Sequence, residues 1–327
     1  MTIRRLLATL GALALAVACS PDTAPDEGGD AEGVLRIYTT VTQDTVDAVL
    51  AGFEADHEGI DVEVFRAPTG EFNARVAAER RDGEIQADVF WLTDQLSMLQ
   101  FDQDDLLASW DPEGVEVVPD EHRSDTFWGT RLLNLVTVAH LDQDPAPTSW
   151  WDHTDPSLRD GVAVPDPGFA GSAFAALGHL ALDDEHGMAF YEALADNGAV
   201  QVNAPGEVVS GVAEGRFRAG MTLDRLAREA VEDGSPVQMI WPEPAAIAVA
   251  SPIAVLDGAV NRRVAERFVA YVLSEPAQSA IAGTGWEPIR TDVDWPHDTG
   301  PTVTPDWETA FEQRDELLES YRALFGG

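Results

Sequence analysis

Apolar and polar positions follow two different periods along this chain, and the order of the two periods predicts an α/β protein. A mostly apolar run over residues 34–38 ends at Thr39 and Thr40. Apolar residues then recur with a period of 3.6 residues up to residue 54. This change predicts a strand that leads through small hydroxyl residues into a helix. Backbone N–H groups at such a helix start suit an anion.

The same change of period recurs along the rest of the chain. Apolar runs predict further strands at 62–65, 87–92, 132–141, 161–165, 200–202, 217–222, 237–241 and 247–256. Periodic stretches predict helices at 70–81, 95–99, 173–182, 187–195, 207–213, 261–273, 276–282 and 307–324. In open α/β sheets, the loops that follow the strands meet at one edge of the sheet, where ligands bind.

The first 33 residues predict export and a lipid anchor. Two arginines precede an apolar stretch, which is typical of a secretory signal peptide over residues 1–18 and is too short to span a bilayer in a mature protein. Cys19 follows small residues and is the only cysteine, so we expect lipidation there and no intrachain disulfide. Residues 19–33 are rich in Pro, Gly and acid, which predicts a flexible linker. The expected location is the extracellular face of the cell membrane.

The charge of the chain is strongly one-sided. It has 58 acidic and 20 basic residues, all the basic ones being Arg, and a formal net charge of -38. Such a chain cannot replace counterions on phosphate backbones, so nucleic acid is excluded as a partner. The acidic surface either attracts a cationic ligand or keeps the protein soluble at high salt. Because the acids are spread over the whole chain, we favour adaptation to salt.

Motifs that would indicate an enzyme are missing from the sequence. It contains no G-x-S-x-G, no H-E-x-x-H and no phosphate-binding loop with Lys. Asp94 and Asp224 remain an acid/base pair on which a cleft hydrolase would depend. We expect a protein that is not an enzyme and needs no cofactor.

Several segments together resemble the extracellular solute-binding proteins of ABC importers. They are IYTT, GIDVEVFRAPTGE and ADVFWLTD, then TSWWD and DGVAVPDPGFAGSAF, then GRFRAGMTLD and SPIAVLDGAVNRRVAERFVAYVLSEPAQ. The groups they resemble bind ferric iron, phosphonates or sugar phosphates. The resemblance implies a two-lobed α/β fold of the type II periplasmic-binding-protein class, with two crossover segments and a cleft between the lobes. Lobe one would comprise 34–138 plus 255–327, and lobe two 139–254.

The resemblance also implies which residues line the cleft and what the partners are. Lobe one would contribute Thr39, Thr40, Thr69, Gly70 and Asp94, and lobe two Gly171, Ser172, Asn203, Gly206, Thr222, Asp224 and Arg225. The partners would be a small-molecule ligand and an ABC permease, the membrane would be reached through the lipid anchor only, and the protein would be a monomer.

The residue types at these positions favour an oxyanion over a metal. The ferric binders hold iron with two adjacent tyrosines at the position of Asp224 and Arg225, and the chain has neither tyrosine. Hydroxyls and glycine N–H groups suit a phosphonate or phosphate ester, Arg225 suits a bidentate contact, and Asp94 or Asp224 would pair an amine on the ligand. Trp91 or Trp241 would cover part of the ligand. The alternatives are ferric iron held by Asp94 and Asp224, a polyamine, or thiamine.

Overall fold

The computed structural model describes residues 33–326, and strands and helices alternate as the periodicity predicts. The predicted signal peptide, Cys19 and the predicted linker up to residue 32 lie outside the described residues. Gly33, expected at the end of the linker, is the first residue of a strand. No helix in residues 33–326 combines the length and the apolar character that crossing a membrane would require.

The strands and helices of the described residues fall into two sets. The strands are β1 (Gly33–Thr39), β2 (Ile60–Arg66), β3 (Val89–Trp91), β4 (Phe127–His140), β5 (Val162–Pro165), β6 (Val200–Val202), β7 (Ala219–Leu223), β8 (Val237–Ile240), β9 (Ala246–Val255), β10 (Glu287–Pro288) and β11 (Thr302–Val303). The helices are α1 (Gln43–Asp56), α2 (Thr69–Asp82), α3 (Gln95–Gln103), α4 (Gly171–Leu182), α5 (Gly187–Asp196), α6 (Pro205–Ala213), α7 (Asp224–Glu232), α8 (Arg262–Val272), α9 (Glu275–Gly283), α10 (Trp307–Glu312) and α11 (Arg314–Phe325).

The strands form one twisted sheet with the order β2-β1-β3-β9-β4-β7-β5-β6. The pairs β1/β2 and β1/β3 are parallel at one end of the sheet, and the pairs β5/β6 and β5/β7 are parallel at the other end. The strands β9 and β4 join the two ends through antiparallel pairing. Each parallel end therefore places the loops after its strands on one edge.

Two long strands, β4 and β9, belong to both parts of the sheet. The first part of β4 pairs with β9, and its second part pairs with β7 and β8. Every residue of β9 is buried, which explains its unbroken apolar sequence. The strand β4 starts at Phe127 and not at the predicted residue 132, because Phe127 and Trp128 are buried and pair with β9.

The end of the chain differs from the single helix predicted over 307–324. It forms α10 and α11, which are separated at Gln313. The helix α10 contacts α3 and α4, and α11 packs on α4 and α5, where the rings of Tyr321 and Tyr191 lie 5.4 Å apart. Helices expected in lobe one therefore contact helices expected in lobe two, and the proposed lobe boundaries stay a prediction.

Candidate functional site

A cavity of about 640 Å³ opens where the loops after the strands of both sheet ends meet. The predicted site residues that line this cavity are Thr40, Thr69, Gly70, Gly171, Ser172, Asn203 and Gly206. They come from the loops after β1, β2, β5 and β6. The structure therefore brings together seven residues that are far apart in the sequence.

Five helices begin at the wall of the cavity, and none of them is capped by a side chain. Their N-cap residues are Thr42, Pro68, Ala170, Ala204 and Leu223, and all five line the cavity. The first-turn N–H groups of a helix have no partner inside the helix. An uncapped start leaves these donors, and the positive end of the helix dipole, available to an anion.

Arg131 supplies a full positive charge at the same wall. It lies in β4, lines the cavity, and has no exposed surface. Its Nη1 donates to the Thr45 hydroxyl at 3.2 Å, but Nε and Nη2 have no hydrogen-bond partner among the described residues. A buried guanidinium with free donors costs free energy unless an anion pairs with it. Arg131 is thus suited to bind an oxyanion.

The position of Arg131 is fixed by its neighbours. Its guanidinium carbon lies 4.6 Å from the ring centroid of Trp286, and that of Arg225 lies 5.1 Å from the same ring. Burial and, to a smaller extent, the charge of Arg225 lower the pKa of Arg131 to about 9, while Asp44 acts in the opposite direction. At neutral pH the guanidinium stays charged, so this part of the wall is cationic.

Two predicted hydroxyl residues hold the loops in place and do not line the cavity. Thr39 is fully buried, and its hydroxyl donates to the carbonyl oxygen of Trp91 and accepts from the N–H of Val41. The hydroxyl of Thr222, also fully buried, donates to the carbonyl oxygen of Pro205 at 2.9 Å. Through these hydrogen bonds, both side chains stabilise the loops beside the cavity.

The two predicted carboxylates lie behind the wall of the cavity. Asp94 caps α3 by accepting from the N–H of Ser97 at 2.8 Å, and its Oδ2 has no hydrogen-bond partner within residues 33–326. Asp224 accepts from the N–H of Asn134 at 3.3 Å and lies 3.5 Å from Arg228. Burial raises the pKa of both carboxyl groups. Neither residue lines the cavity, so neither is placed to pair a ligand amine directly.

Arg225 is also outside the cavity wall. Its Nη2 forms an ion pair of 2.5 Å with Asp44, so its charge is neutralised within the protein. This pair joins the first turn of α7 to the first turn of α1, across the end of the cavity formed by their N-caps. Of these two arginines, Arg131 lines the cavity and Arg225 does not.

Part of the wall is apolar, and we call Leu133, Leu223, Leu226 and Trp286 the apolar wall. Trp286, and neither of the two tryptophans predicted to cover the ligand, lines this cavity. Trp91 is fully buried in the core, and the Nε1 of Trp241 donates to the carbonyl oxygen of Pro301. The cavity thus combines cationic and hydrogen-bonding groups with a nonpolar face.

Arg131 was not predicted as a site residue, because a strand predicted from apolar residues ends where a charged residue begins. The predicted strand began at residue 132, one position after Arg131. The available signal was an arginine next to the apolar run of residues 132–141, since arginine is rarely buried without a partner. The helix starts Ala170 and Ala204 were a second signal, because alanine is a poor N-cap.

A family model for bacterial extracellular solute-binding proteins matches residues 35–287, which is more than half of the chain. The chain belongs to this family. Extracellular solute-binding proteins bind a small ligand and deliver it to an ABC permease, and the fold and family of this chain are those of transport proteins.

Known proteins similar to this solute-binding protein differ in the ligands that their names give. A protein of Salmonella paratyphi A, provisionally named a 2-aminoethylphosphonate-binding periplasmic protein, is 23% identical over 244 residues, which are 72% of this chain and 71% of the relative. Apo ferric ion-binding protein A of Pasteurella haemolytica is 18% identical, with a TM-score of 0.76 over 89% of this chain and 97% of the other. AfuA of Actinobacillus pleuropneumoniae, solved with fructose-6-phosphate, is 18% identical, with a TM-score of 0.76 over 89% of this chain and 98% of the other.

The structural likeness confirms the predicted fold. Both structures match along nearly their whole length, so this chain has the two-lobed fold of the type II periplasmic binding proteins. The strands β4 and β9 pair with strands of both sheet ends, and their role as the two crossover segments stays a prediction, as do the lobe boundaries.

Proposed function

We propose that this solute-binding protein carries a phosphonate or a phosphate ester, whose oxyanion binds in the cavity against Arg131. The observation that supports it is the buried guanidinium of Arg131, with Nε and Nη2 unpaired, at a wall where five uncapped helices begin. A tetrahedral oxyanion has three oxygens that can accept from such donors at once. Bidentate pairing of arginine with phosphate is a strong, directional contact.

The hydroxyl groups of the cavity complete the oxyanion site in this proposal. Thr69 and Ser172 lie in the first turns of α2 and α4, beside the glycines Gly70 and Gly171. Thr40 pairs its hydroxyl with that of Thr93 at 3.0 Å, which ties the loops after β1 and β3 together. Each hydroxyl can donate to an oxyanion in addition to the backbone N–H groups.

Calorimetry with methylphosphonate and inorganic phosphate tests the proposal. We expect binding by the wild type and a loss of about 100-fold in Arg131→Gln, because hydrogen bonds to a charged group are worth about 1.5–3 kcal/mol each. Arg216→Gln is the matched control, since Arg216 is exposed and pairs with Glu214 away from the cavity. Binding that is equally tight in Arg131→Gln would reject the assignment.

Ferric iron is the other ligand that the relatives suggest, and the cavity gives it little support. Iron would need anionic oxygen ligands, but Asp94 and Asp224 lie behind the wall. Among the described residues that line the cavity, the one carboxylate is Glu71. The described cluster Asp183, Glu185 and His186 does not line the cavity. Titration with ferric citrate under the same conditions distinguishes iron from an oxyanion as the ligand. Hydrolysis of a phosphate ester by the purified protein would indicate an enzyme.

Anchoring and lobe boundaries belong to the same proposal. We propose that Cys19 carries the lipid and that residues 19–33 tether a monomeric binding protein at the extracellular face. Cys19→Ala is then expected to release the protein from the membrane fraction, which immunoblotting of fractionated cells measures.

We also propose that the chain divides into lobe one, 34–138 plus 255–327, and lobe two, 139–254. Limited proteolysis with and without ligand would test this division.

A further inference from the structure

The apolar wall gives the cavity a second chemical character that an oxyanion alone does not use. We propose that the ligand has an uncharged, apolar body next to its oxyanion, as in an alkyl or aryl phosphonate or phosphate ester. This inference rests on the proposed function and specifies its ligand class. It differs from a zwitterionic aminoalkyl phosphonate, the ligand in the name of the Salmonella relative.

The size of the cavity requires more than an oxyanion to fill it. A phosphonate group has four non-hydrogen atoms, whereas the cavity has a volume of about 640 Å³. Since one water takes about 30 Å³ in the liquid, this volume accommodates on the order of twenty such atoms. It lies within the range of about 300–1,000 Å³ that is usual for drug-sized ligands. A larger organic body therefore fits beside the oxyanion.

The wall around Trp286 excludes a positive charge from this body. The guanidinium carbon of Arg131 lies 4.6 Å from the Trp286 ring centroid, so a ligand cation at the ring would meet the like charge of Arg131. Leu133 and Leu223 are buried, and Leu226 is half-buried, beside the same cavity. Burial of an apolar body against these side chains is favourable, whereas an ammonium group would lose its water without gaining a partner.

Glu71 and the residues of the apolar wall come from different elements. Glu71 is an exposed residue in the first turn of α2, which contributes none of the apolar wall residues. At the rim, Phe169 is 67% exposed although it is a large apolar residue that lines the cavity. An apolar ligand body would cover part of this ring. The rim and the apolar wall thus favour the same ligand class.

An affinity series separates this inference from the proposed function. We expect phenylphosphonate to bind at least tenfold more tightly than methylphosphonate and 2-aminoethylphosphonate, because burial of one large apolar group is favourable. Binding of none of the three would overturn the proposed function itself. Binding of methylphosphonate or 2-aminoethylphosphonate as tight as that of phenylphosphonate would overturn only the apolar body.

A variant of the apolar wall locates the effect. Leu226→Ala is expected to weaken phenylphosphonate about tenfold and to change methylphosphonate less than about twofold, since it removes contact area and no polar group. Leu141→Ala is the control, because Leu141 is 58% exposed and outside the cavity. Equal losses for both phosphonates, or no loss for phenylphosphonate, would reject the apolar wall. Circular dichroism of each variant checks that it is folded.

Discussion

Arg131 is a charge that the folded protein keeps inside without pairing it fully. One of its nitrogens bonds to Thr45, and two have no partner in the described part of the chain. Natural proteins sacrifice stability in this way at binding sites, where the ligand supplies the missing partner. Binding and stability should therefore respond to the same residue in opposite directions.

We predict that Arg131→Met abolishes oxyanion binding and leaves the unliganded protein as stable as the wild type or more stable. Met fills a similar volume without a buried charge, and such replacements are often neutral or stabilising. Thermal melts without ligand are expected to show a Tm that is unchanged or raised by about 2 °C or more. A Tm that falls by several degrees would mean that Arg131 is a structural residue.

The partly buried carboxyl group of Glu287 has a perturbed pKa, and its effect on stability can be measured. It accepts from Nδ2 of Asn134 at 2.7 Å, and burial, with the nearby charge of Asp224, raises its pKa above the ordinary 4.5. A raised pKa means that the folded state favours the protonated form, so this contribution to stability is complete below 4.5 and is lost as the pH rises through the folded-state pKa.

We predict that Glu287→Gln raises the Tm at pH 7 and that the difference from the wild type shrinks as the pH falls towards 4.5. Gln keeps an acceptor for Asn134 and removes the charge. Since any lost negative charge reduces repulsion in so acidic a chain, Glu232→Gln, an exposed site, is the control. The prediction fails if both variants behave alike at every pH.

The residue scale is where sequence reasoning was least complete. Thr40, Thr69, Gly70 and the loop residues of the other sheet end were found because small and hydroxyl residues mark the turns after strands. Whether such a side chain faces the cavity or the loop beneath it, as with Thr39, depends on strand register. Register is set by pairing with distant strands, which a local pattern does not contain.

At the scale of elements, the starts of the helices shape the wall of the cavity. The N-cap of α3 is Asp94, whose carboxylate accepts a hydrogen bond from the first turn of that helix. The helix α4 begins at Gly171, directly beside Asp94. A Cβ at Gly171 would overlap the Cβ of Asp94. The close approach of these two helix starts therefore depends on glycine at this position.

We predict that Gly171→Ala lowers ligand affinity at least about tenfold while the unliganded protein remains folded. The added methyl group forces the two helix starts apart at the cavity, but alanine itself is favourable in a helix by about 1 kcal/mol. Gly283→Ala, where a Cβ meets nothing within 4 Å, is the matched control and should leave affinity unchanged. Unchanged affinity in Gly171→Ala would show that the contact is not needed for binding.

Most elements were predicted from periodicity because their buried faces follow the period of the strand or helix itself. The short strands β10 and β11 were missed, since two-residue strands exist only through pairing with β4 and β9. The break at Gln313 was missed because neither Pro nor Gly marks it.

At the scale of the whole molecule, charge dominates the behaviour in solution. With a formal net charge of -38, repulsion among the acids opposes the compact state. We predict that the Tm rises from low to multimolar KCl, because the Debye length shrinks to about 3 Å at 1 M. A parallel series in sucrose, which is excluded from surfaces but screens no charge, separates screening from exclusion. A Tm that falls as KCl is added would contradict salt adaptation.

The strands β4 and β9 belong to both parts of the sheet, and this has a consequence for the time course of folding. Val89 of β3 pairs with Val255 of β9, so β3, the innermost strand of the set β2-β1-β3, has no neighbour on its inner side until the chain has been made to residue 255. Contacts between such distant residues form slowly, and unpaired strand edges stay open in the meantime. A nascent chain of this topology stays incompletely folded during synthesis, which suits the export that the first residues of the sequence predict.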